Sequence, residues 1–228
     1  RSSAASDVYK RQPVTASASF VKSLLAQCCL GGICEWVVCP GARNMALLQV
    51  LAAAEDLVKW THFDERSAAF FALGRIQDMG LPVAVVPTSG TAAAELLPAV
   101  VEAYYERRPL LLLTADRPAD YRGSAAPQAI EQADLFGIYA PTIDLETPDS
   151  LPEDILEDWD YASPLHINVC LPDPDPAWNP GNCDLYPAEP PEDSEFRGSL
   201  AELAQALRFK SRGGLVVMLG GLDPTEQA

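Results

Sequence analysis

The apolar positions change period repeatedly along the chain, and each change marks an element. In "SFVKSLLAQCCLGG" they fall at Phe20, Val21, Leu24, Leu25 and Cys28, the spacing of one helix face, and Gly31-Gly32 supply a stop. "ICEWVVCPG" is β-rich and ends at Pro40-Gly41, and "ARNMALLQVLAAAE" is helical again. "LVKWTHF" predicts a short strand, and "ERSAAFFALGRIQDMG" a helix closed by Gly80. "PVAVVPTSG" predicts a strand, and "TAAAELLPAVVEAYYERR" a long helix interrupted at Pro98. "PLLLLTADRP" is a continuous apolar run of the kind buried on both faces, and "APTIDLE" and "PLHINVCLP" predict two further strands.

Strand and helix therefore alternate with short connections. That order predicts an α/β fold, a parallel sheet with helices on both faces. Ligands of such sheets sit beyond the carboxyl ends of the strands. This directs attention to four strand-to-helix turns: "CPGARN", "THFDER", "PTSGTA" and "TADRP". Turns are commonly polar, so any one of them is unremarkable; four at one edge of one sheet are harder to dismiss.

Composition divides the chain further. Residues 1–12, "RSSAASDVYKRQ", have neither period and read as a tag-like or disordered tail. Residues 13–172 hold the alternating elements and form the main domain. Residues 173–197 are rich in Pro, Asp and Asn and read as an acidic, extended linker. Residues 198–228 contain a helix, "SLAELAQALRFKSRGG", and a strand, "LVVMLGGLDP", which predict the start of a second α/β domain.

The formal net charge of −16 argues against a nucleic-acid partner, which needs a basic surface. No apolar run reaches the ~18–20 residues of a membrane span. From Pro141 to Leu200 about fifteen carboxylates face a single Arg197. The six cysteines include no C-x-x-C pair and only two histidines accompany them, which makes zinc a poor reading. Cys34 and Cys39, five apart, should point to opposite faces of a strand. Small buried thiols in a reducing cytosol account for the set.

The stretch "WTHFDERSAAFFALGR" places two acids where a strand enters a helix. The helix dipole favours acids in a first turn, which accounts for Asp64 but leaves Glu65 dependent on its surroundings. A hydrolase built on Ser89, His62 and Asp64 is a further reading, but "PTSGT" lacks the G-x-S-x-G elbow.

At its turns the chain resembles the N-terminal, pyrimidine-binding part of thiamine-diphosphate enzymes, and among them the 2-succinyl-5-enolpyruvyl-6-hydroxy-3-cyclohexene-1-carboxylate synthase family of menaquinone biosynthesis. "CPGARN" resembles that family's PGSR turn, "THFDER" its HFDER helix start, "PTSGTA" its TSGTA turn, "TADRP" its strand end, and "PQAIEQADLFG" its NQAI segment. The resemblance runs from about Phe20 to Pro172.

It implies that Glu65 hydrogen-bonds the aminopyrimidine nitrogen of thiamine diphosphate. A carboxyl there favours the imino tautomer, which takes the proton from the thiazolium carbon. Such a carboxyl works best in a water-poor cleft that raises its pKa. Ser89, Gly90 and Thr91 would approach the pyrimidine through free backbone N–H groups; the plain alternative for Ser89 is a helix cap. Arg43 and Arg117 would clamp substrate carboxylates; the plain alternative for Arg117 is a salt bridge to Asp116 or Asp120. Gln128 would lie near substrate. Ala42, Asn44 and Pro127 depart from the family's serine, serine and asparagine, which bears on the substrate pair and not on the cofactor.

The reaction implied is decarboxylation of 2-oxoglutarate followed by 1,4-addition of the four-carbon unit to isochorismate. An acetolactate-type synthase, or a non-catalytic pyrimidine-domain subunit, would share Glu65. The Gly-Asp-Gly turn with which these enzymes hold diphosphate and Mg²⁺ is absent from the 228 residues. The expectation is therefore an N-terminal fragment, inactive alone, of a cytoplasmic enzyme that self-associates as a dimer or tetramer.

Overall fold

A computed structural model describes residues 14–173 and 178–186. The tail, residues 1–12, and the second domain expected over 198–228 lie outside the described residues. The elements are α1 (Val14–Leu30), β1 (Glu35–Val38), α2 (Met45–Ala53), β2 (Val58–Thr61), α3 (Glu65–Met79), β3 (Val83–Val86), α4 (Thr91–Ala94), α5 (Leu97–Glu106), β4 (Leu110–Asp116), β5 (Thr142–Leu145) and β6 (Leu165–Cys170).

The strands form one six-stranded sheet in the order β2-β1-β3-β4-β6-β5, and every pairing is parallel. The four central strands are buried at every position, and β3 and the start of β4 read accordingly as unbroken apolar runs. Alternate side chains serve the two faces. On one face Trp36, Val38, Leu111 and Leu113 pack with α1 and α2. On the other Val37, Cys39, Val85 and Leu112 pack with α3 and α5. No helix of the described residues is long and apolar enough to cross a membrane.

Helix boundaries follow local chemistry. Asp64 caps α3, its Oδ1 accepting from Ser67 N at 2.7 Å. Gly80 closes the same helix in the left-handed region, φ 71°. The helix expected to break at Pro98 divides into α4 and α5, with Pro98 in the first turn of α5, where its missing N–H costs nothing.

The segment expected to be a linker departs from expectation over 178–186. It has no regular secondary structure, but Cys183 and Leu185 are buried in the core of the α1/α2 face, and Trp178 packs against it. Lys22 Nζ donates to Pro180 O at 2.5 Å and Gln49 Nε2 to Trp178 O at 3.0 Å. A polar, Pro-rich stretch needs only two or three apolar anchors to lie along a helical face.

Candidate functional site at the carboxyl edge of the sheet

All four singled-out turns emerge at the carboxyl ends of parallel strands, in the spatial order β2, β1, β3, β4. Two of them touch closely. A Cβ placed on Gly41 would lie 2.5 Å from Thr88 Cβ, so the turns after β1 and β3 meet at a point only glycine permits. Asn44 holds the first turn from within. It is wholly buried, Nδ2 donating to Cys39 O (2.9 Å) and Val86 O (3.1 Å), Oδ1 accepting from Gly41 N (2.9 Å). The asparagine that departs from the family pattern is thus the clip between β1 and β3.

Glu65 is the first residue of α3, and capping of that helix falls to Asp64. Among the described residues the Glu65 carboxylate has no hydrogen bond or ion pair, and it is partly exposed. The Ser67 hydrogen bond holds the Asp64 carboxyl below its ordinary range. Behind Glu65, Phe71 meets His62 in a tilted contact (4.7 Å between centroids) and Trp60 edge to face (5.2 Å). Trp60 is fixed in turn by its Nε1–H donating to Glu35 at 2.9 Å, and Arg75 engages the same carboxylate at 2.8 Å. Phe63 stands 98% exposed beside this helix start. Cys39, across the turn, is pushed up to about 12 by burial, reinforced by the charges of Glu65 and Asp64. It is a thiol at neutral pH and no nucleophile.

Gly90 lies at φ 78°, ψ −133° ahead of α4. A Cβ there would sit 2.6 Å from Gln128 O, so both backbone angle and space demand glycine. Ser89 is buried and donates from Oγ to Gln128 O (3.4 Å), while Gln128 Nε2 donates back to Ser89 O (3.1 Å). Thr91 is exposed. Turn 88–91 and Gln128 are thus one unit.

Each arginine has protein partners. Arg43 is buried, donating to Leu171 O (3.0 Å) and to Asp173 (2.8 Å), whose side chain is 62% exposed. Arg117 Nη2 donates to Pro127 O (2.9 Å), and its guanidinium lies 5.6 Å from the Tyr121 ring. No ion pair joins Arg117 to Asp116 or Asp120 among the described residues. Its Nε is buried without a hydrogen-bond partner among the described residues.

The hydrolase reading finds no support in this geometry. Asp64 caps α3, His62 meets Phe71 in a tilted contact, and Ser89 donates to Gln128 O, with no hydrogen bond among the three. Among the described residues no group of three or more His, Cys, Asp and Glu could hold a metal ion.

Sequence reasoning did not single out Gln132, which is fully buried and accepts from Gly90 N at 2.6 Å. Nor did it single out the polar ladder beneath it, formed by Thr114, His166, Asn168 and Asp116. Burial pushes Asp116 up and His166 down to about 3. A buried glutamine amid "EQADLFG" gives no local signal, because its partners are 17 to 42 positions away in sequence.

The family described as "Thiamine pyrophosphate enzyme, N-terminal TPP binding domain" matches residues 21–135. The chain is 94% identical over 211 residues to the 2-succinyl-5-enolpyruvyl-6-hydroxy-3-cyclohexene-1-carboxylate synthase of Akkermansia muciniphila, covering 92% of this chain and 40% of that relative. It is 45% identical over 144 residues to the synthase of the same name from Bdellovibrio bacteriovorus, covering 63% of this chain and 27% of the relative. A third such synthase, from Geobacillus thermodenitrificans, is 45% identical over 174 residues, covering 69% and 28%. The chain thus spans 40% or less of the length of these relatives. A parallel sheet with a partner-free glutamate and a glycine-cradled turn at its carboxyl edge, matched over half its residues by that profile, belongs to the thiamine pyrophosphate enzyme family as its N-terminal TPP-binding domain.

Proposed function

We propose that the chain forms the pyrimidine-binding part of a thiamine-diphosphate-dependent transferase of menaquinone biosynthesis. It decarboxylates 2-oxoglutarate and adds the remaining four-carbon unit to isochorismate. The observation that carries this reading is the Glu65 carboxylate, which Asp64 relieves of capping α3 and which no other described residue engages. The product in the relatives' name supports the substrate pair. A succinyl group on a cyclohexene carboxylate that bears an enolpyruvyl ether is what this addition makes.

The residues present fit an aminopyrimidine. Glu65 offers a carboxyl to a ring nitrogen, and Thr91 is the exposed residue of turn 88–91; the Gly90 N–H, expected to be free, is held by Gln132. When bound, thiamine diphosphate supplies the carbon nucleophile that attacks the 2-oxo group. Glu65 holds and exchanges a proton at the ring nitrogen, the task of a positioned acid–base group. Ser89, Gly90 and Thr91 orient the ring through the backbone. Arg117, with its spare Nε, and Arg43, by exchanging the exposed Asp173, hold substrate carboxylates. Gln128 flanks the substrate beside Ser89. The enzyme works in the cytoplasm as a dimer or larger assembly; the exposure of Phe63 (98%), Ile138 (76%) and Tyr105 (71%) supports the association.

The test is an assay of the complete protein with thiamine diphosphate and Mg²⁺, following carbon dioxide release from 2-oxoglutarate and loss of isochorismate. Coupled consumption of both is expected. Preference for pyruvate over 2-oxoglutarate would overturn the substrate assignment and point to an acetolactate-type enzyme.

A further inference from the structure

On the α3/α5 face, the carboxyl end of the sheet is filled by polar side chains where apolar ones are the rule. Thr114 and Asp116 of β4, His166 and Asn168 of β6, and Thr142 and Asp144 of β5 lie on this face, and Gln132 reaches them from the following loop. The distances admit one proton arrangement. Gln132 Oε1 faces the Gly90 N–H (2.6 Å) and its Nε2 faces Ala115 O (3.2 Å), which fixes the amide by two backbone groups. Asn168 Nδ2 must face the carboxylates of Asp116 (3.2 Å) and Asp144 (2.8 Å). Its Oδ1 therefore accepts from Gln132 Nε2 (2.9 Å) and from Thr114 Oγ1 (3.0 Å).

Having donated to Asn168, Thr114 must accept from His166 Nε2 (2.8 Å), and His166 Nδ1 accepts from Thr142 (2.9 Å). The imidazole is neutral, as its burial requires. The Phe136 ring, perpendicular to the imidazole with centroids 4.8 Å apart, closes this end of the ladder. Donors run in from two sides, Thr142 to His166 to Thr114 on one and the Gly90 amide to Gln132 on the other, and they meet at Asn168 Oδ1. Asp116 also accepts from Arg117 N at 2.7 Å, so the same ladder holds the turn that carries the candidate arginine.

We propose that Gln132 is a positioning residue. By fixing the Gly90 amide to the ends of β4 and β6, it sets the place of turn 88–91 against a bound aminopyrimidine. The proposal rests on the assignment of that turn to the cofactor. A satisfied buried network of this kind specifies one geometry rather than adding bulk stability. No other described group accepts the Gly90 N–H.

The test uses the complete protein and three variants: Gln132→Met, Gln132→Glu and Thr114→Val. Gln132→Met removes the acceptor for Gly90 with little change of volume. Gln132→Glu keeps that acceptor. Thr114→Val damages the ladder and leaves the Gly90 bond intact. Two quantities are read: amide hydrogen exchange at Gly90, and the dissociation constant of thiamine diphosphate with Mg²⁺ by tryptophan fluorescence. In Gln132→Met, Gly90 exchange should quicken by at least about tenfold and affinity should fall by about tenfold, with β4 amides as protected as before. Thr114→Val should lower the unfolding midpoint and leave both quantities within about twofold. Gln132→Glu should retain Gly90 protection better than Gln132→Met, and if the Met variant does not fold, loss of Gly90 protection in Gln132→Glu overturns the proposal. Unchanged exchange and affinity in Gln132→Met overturn it, as does a Thr114→Val protein that behaves like Gln132→Met. Failure of the unmodified protein to bind thiamine diphosphate would instead sink the cofactor assignment of turn 88–91.

Discussion

Asp64 accepts the Ser67 amide proton at 2.7 Å, and Glu65, the next residue, is thereby free of the helix it begins. Two adjacent acids at a strand-to-helix turn divide two tasks. One satisfies an orphan N–H of α3, and the other presents a partner-free carboxylate at the edge where four turns converge. The dipole favours both acids, but only Asp64 satisfies an N–H of α3, so no hydrogen bond accounts for Glu65.

The cradle at Gly90 gives a first prediction. Gly90→Ala forces a Cβ to within 2.6 Å of Gln128 O at a backbone angle that L residues avoid. The strain is on the order of 1–3 kcal/mol. Urea unfolding should show a midpoint lowered accordingly, with cofactor affinity reduced as the turn shifts. An unchanged midpoint and affinity would show that the turn tolerates a side chain.

Asn44→Ala removes three hydrogen bonds at a fully buried position and takes the side-chain partner from Cys39 O and from the Gly41 amide, while Val86 O keeps Cys39 N. The expected loss is roughly 2–4 kcal/mol, because unpaired buried polar groups keep their full desolvation cost. Asn44→Ser, the residue type of the family pattern, is too short to reach both Cys39 O and Val86 O and should recover only part of this. Denaturant titration of both variants measures it.

Much of this architecture was legible in the sequence. The alternation of apolar runs with helical faces gives the parallel sheet, Gly80 ends α3, and Pro98 marks the division of α4 from α5. Local chemistry decides all of these. Asn44 was legible only as a departure from a motif, Gln132 not at all, and residues 178–186 only as a linker. Each of these has partners far along the chain, and a polar residue's neighbours in sequence do not reveal whether it is buried. Arg43 is a mixed case. Its motif marks it as a carboxylate binder, and its Asp173 partner comes from 130 residues away.

That pairing yields a third prediction. An exposed carboxylate such as Asp173 holds its arginine weakly, by ~1 kcal/mol or less. If Arg43 exchanges Asp173 for substrate, Arg43→Lys loses the bidentate geometry and raises a substrate KM about tenfold or more. Asp173→Asn should leave KM unchanged or lower it. A lowered unfolding midpoint in Arg43→Lys with unaltered KM would assign the residue to structure alone.

The ladder has a pH signature. The ordinary pKa of His166 is 6.5, and burial lowers it in the fold to about 3. As pH falls below 6.5 the unfolded chain takes up a proton that the folded protein refuses, so stability is full above the unfolded pKa and is lost on acidification. Asp116 acts in the opposite sense, since its pKa is raised by burial. The difference between unmodified protein and His166→Gln isolates the histidine. From pH 6.5 downward the unmodified protein should lose up to about 1.4 kcal/mol per pH unit that the variant retains. Parallel stability curves would show that His166 titrates alike in both states.

The most direct measurement of the central claim is turnover of the complete protein carrying Glu65→Gln, with 2-oxoglutarate, isochorismate, thiamine diphosphate and Mg²⁺ present. Because Asp64 caps α3, the unfolding midpoint should not move, and the rate should fall by a factor of roughly 100 to 10,000, the worth of a positioned acid–base group. Normal turnover in that folded variant would contradict the account.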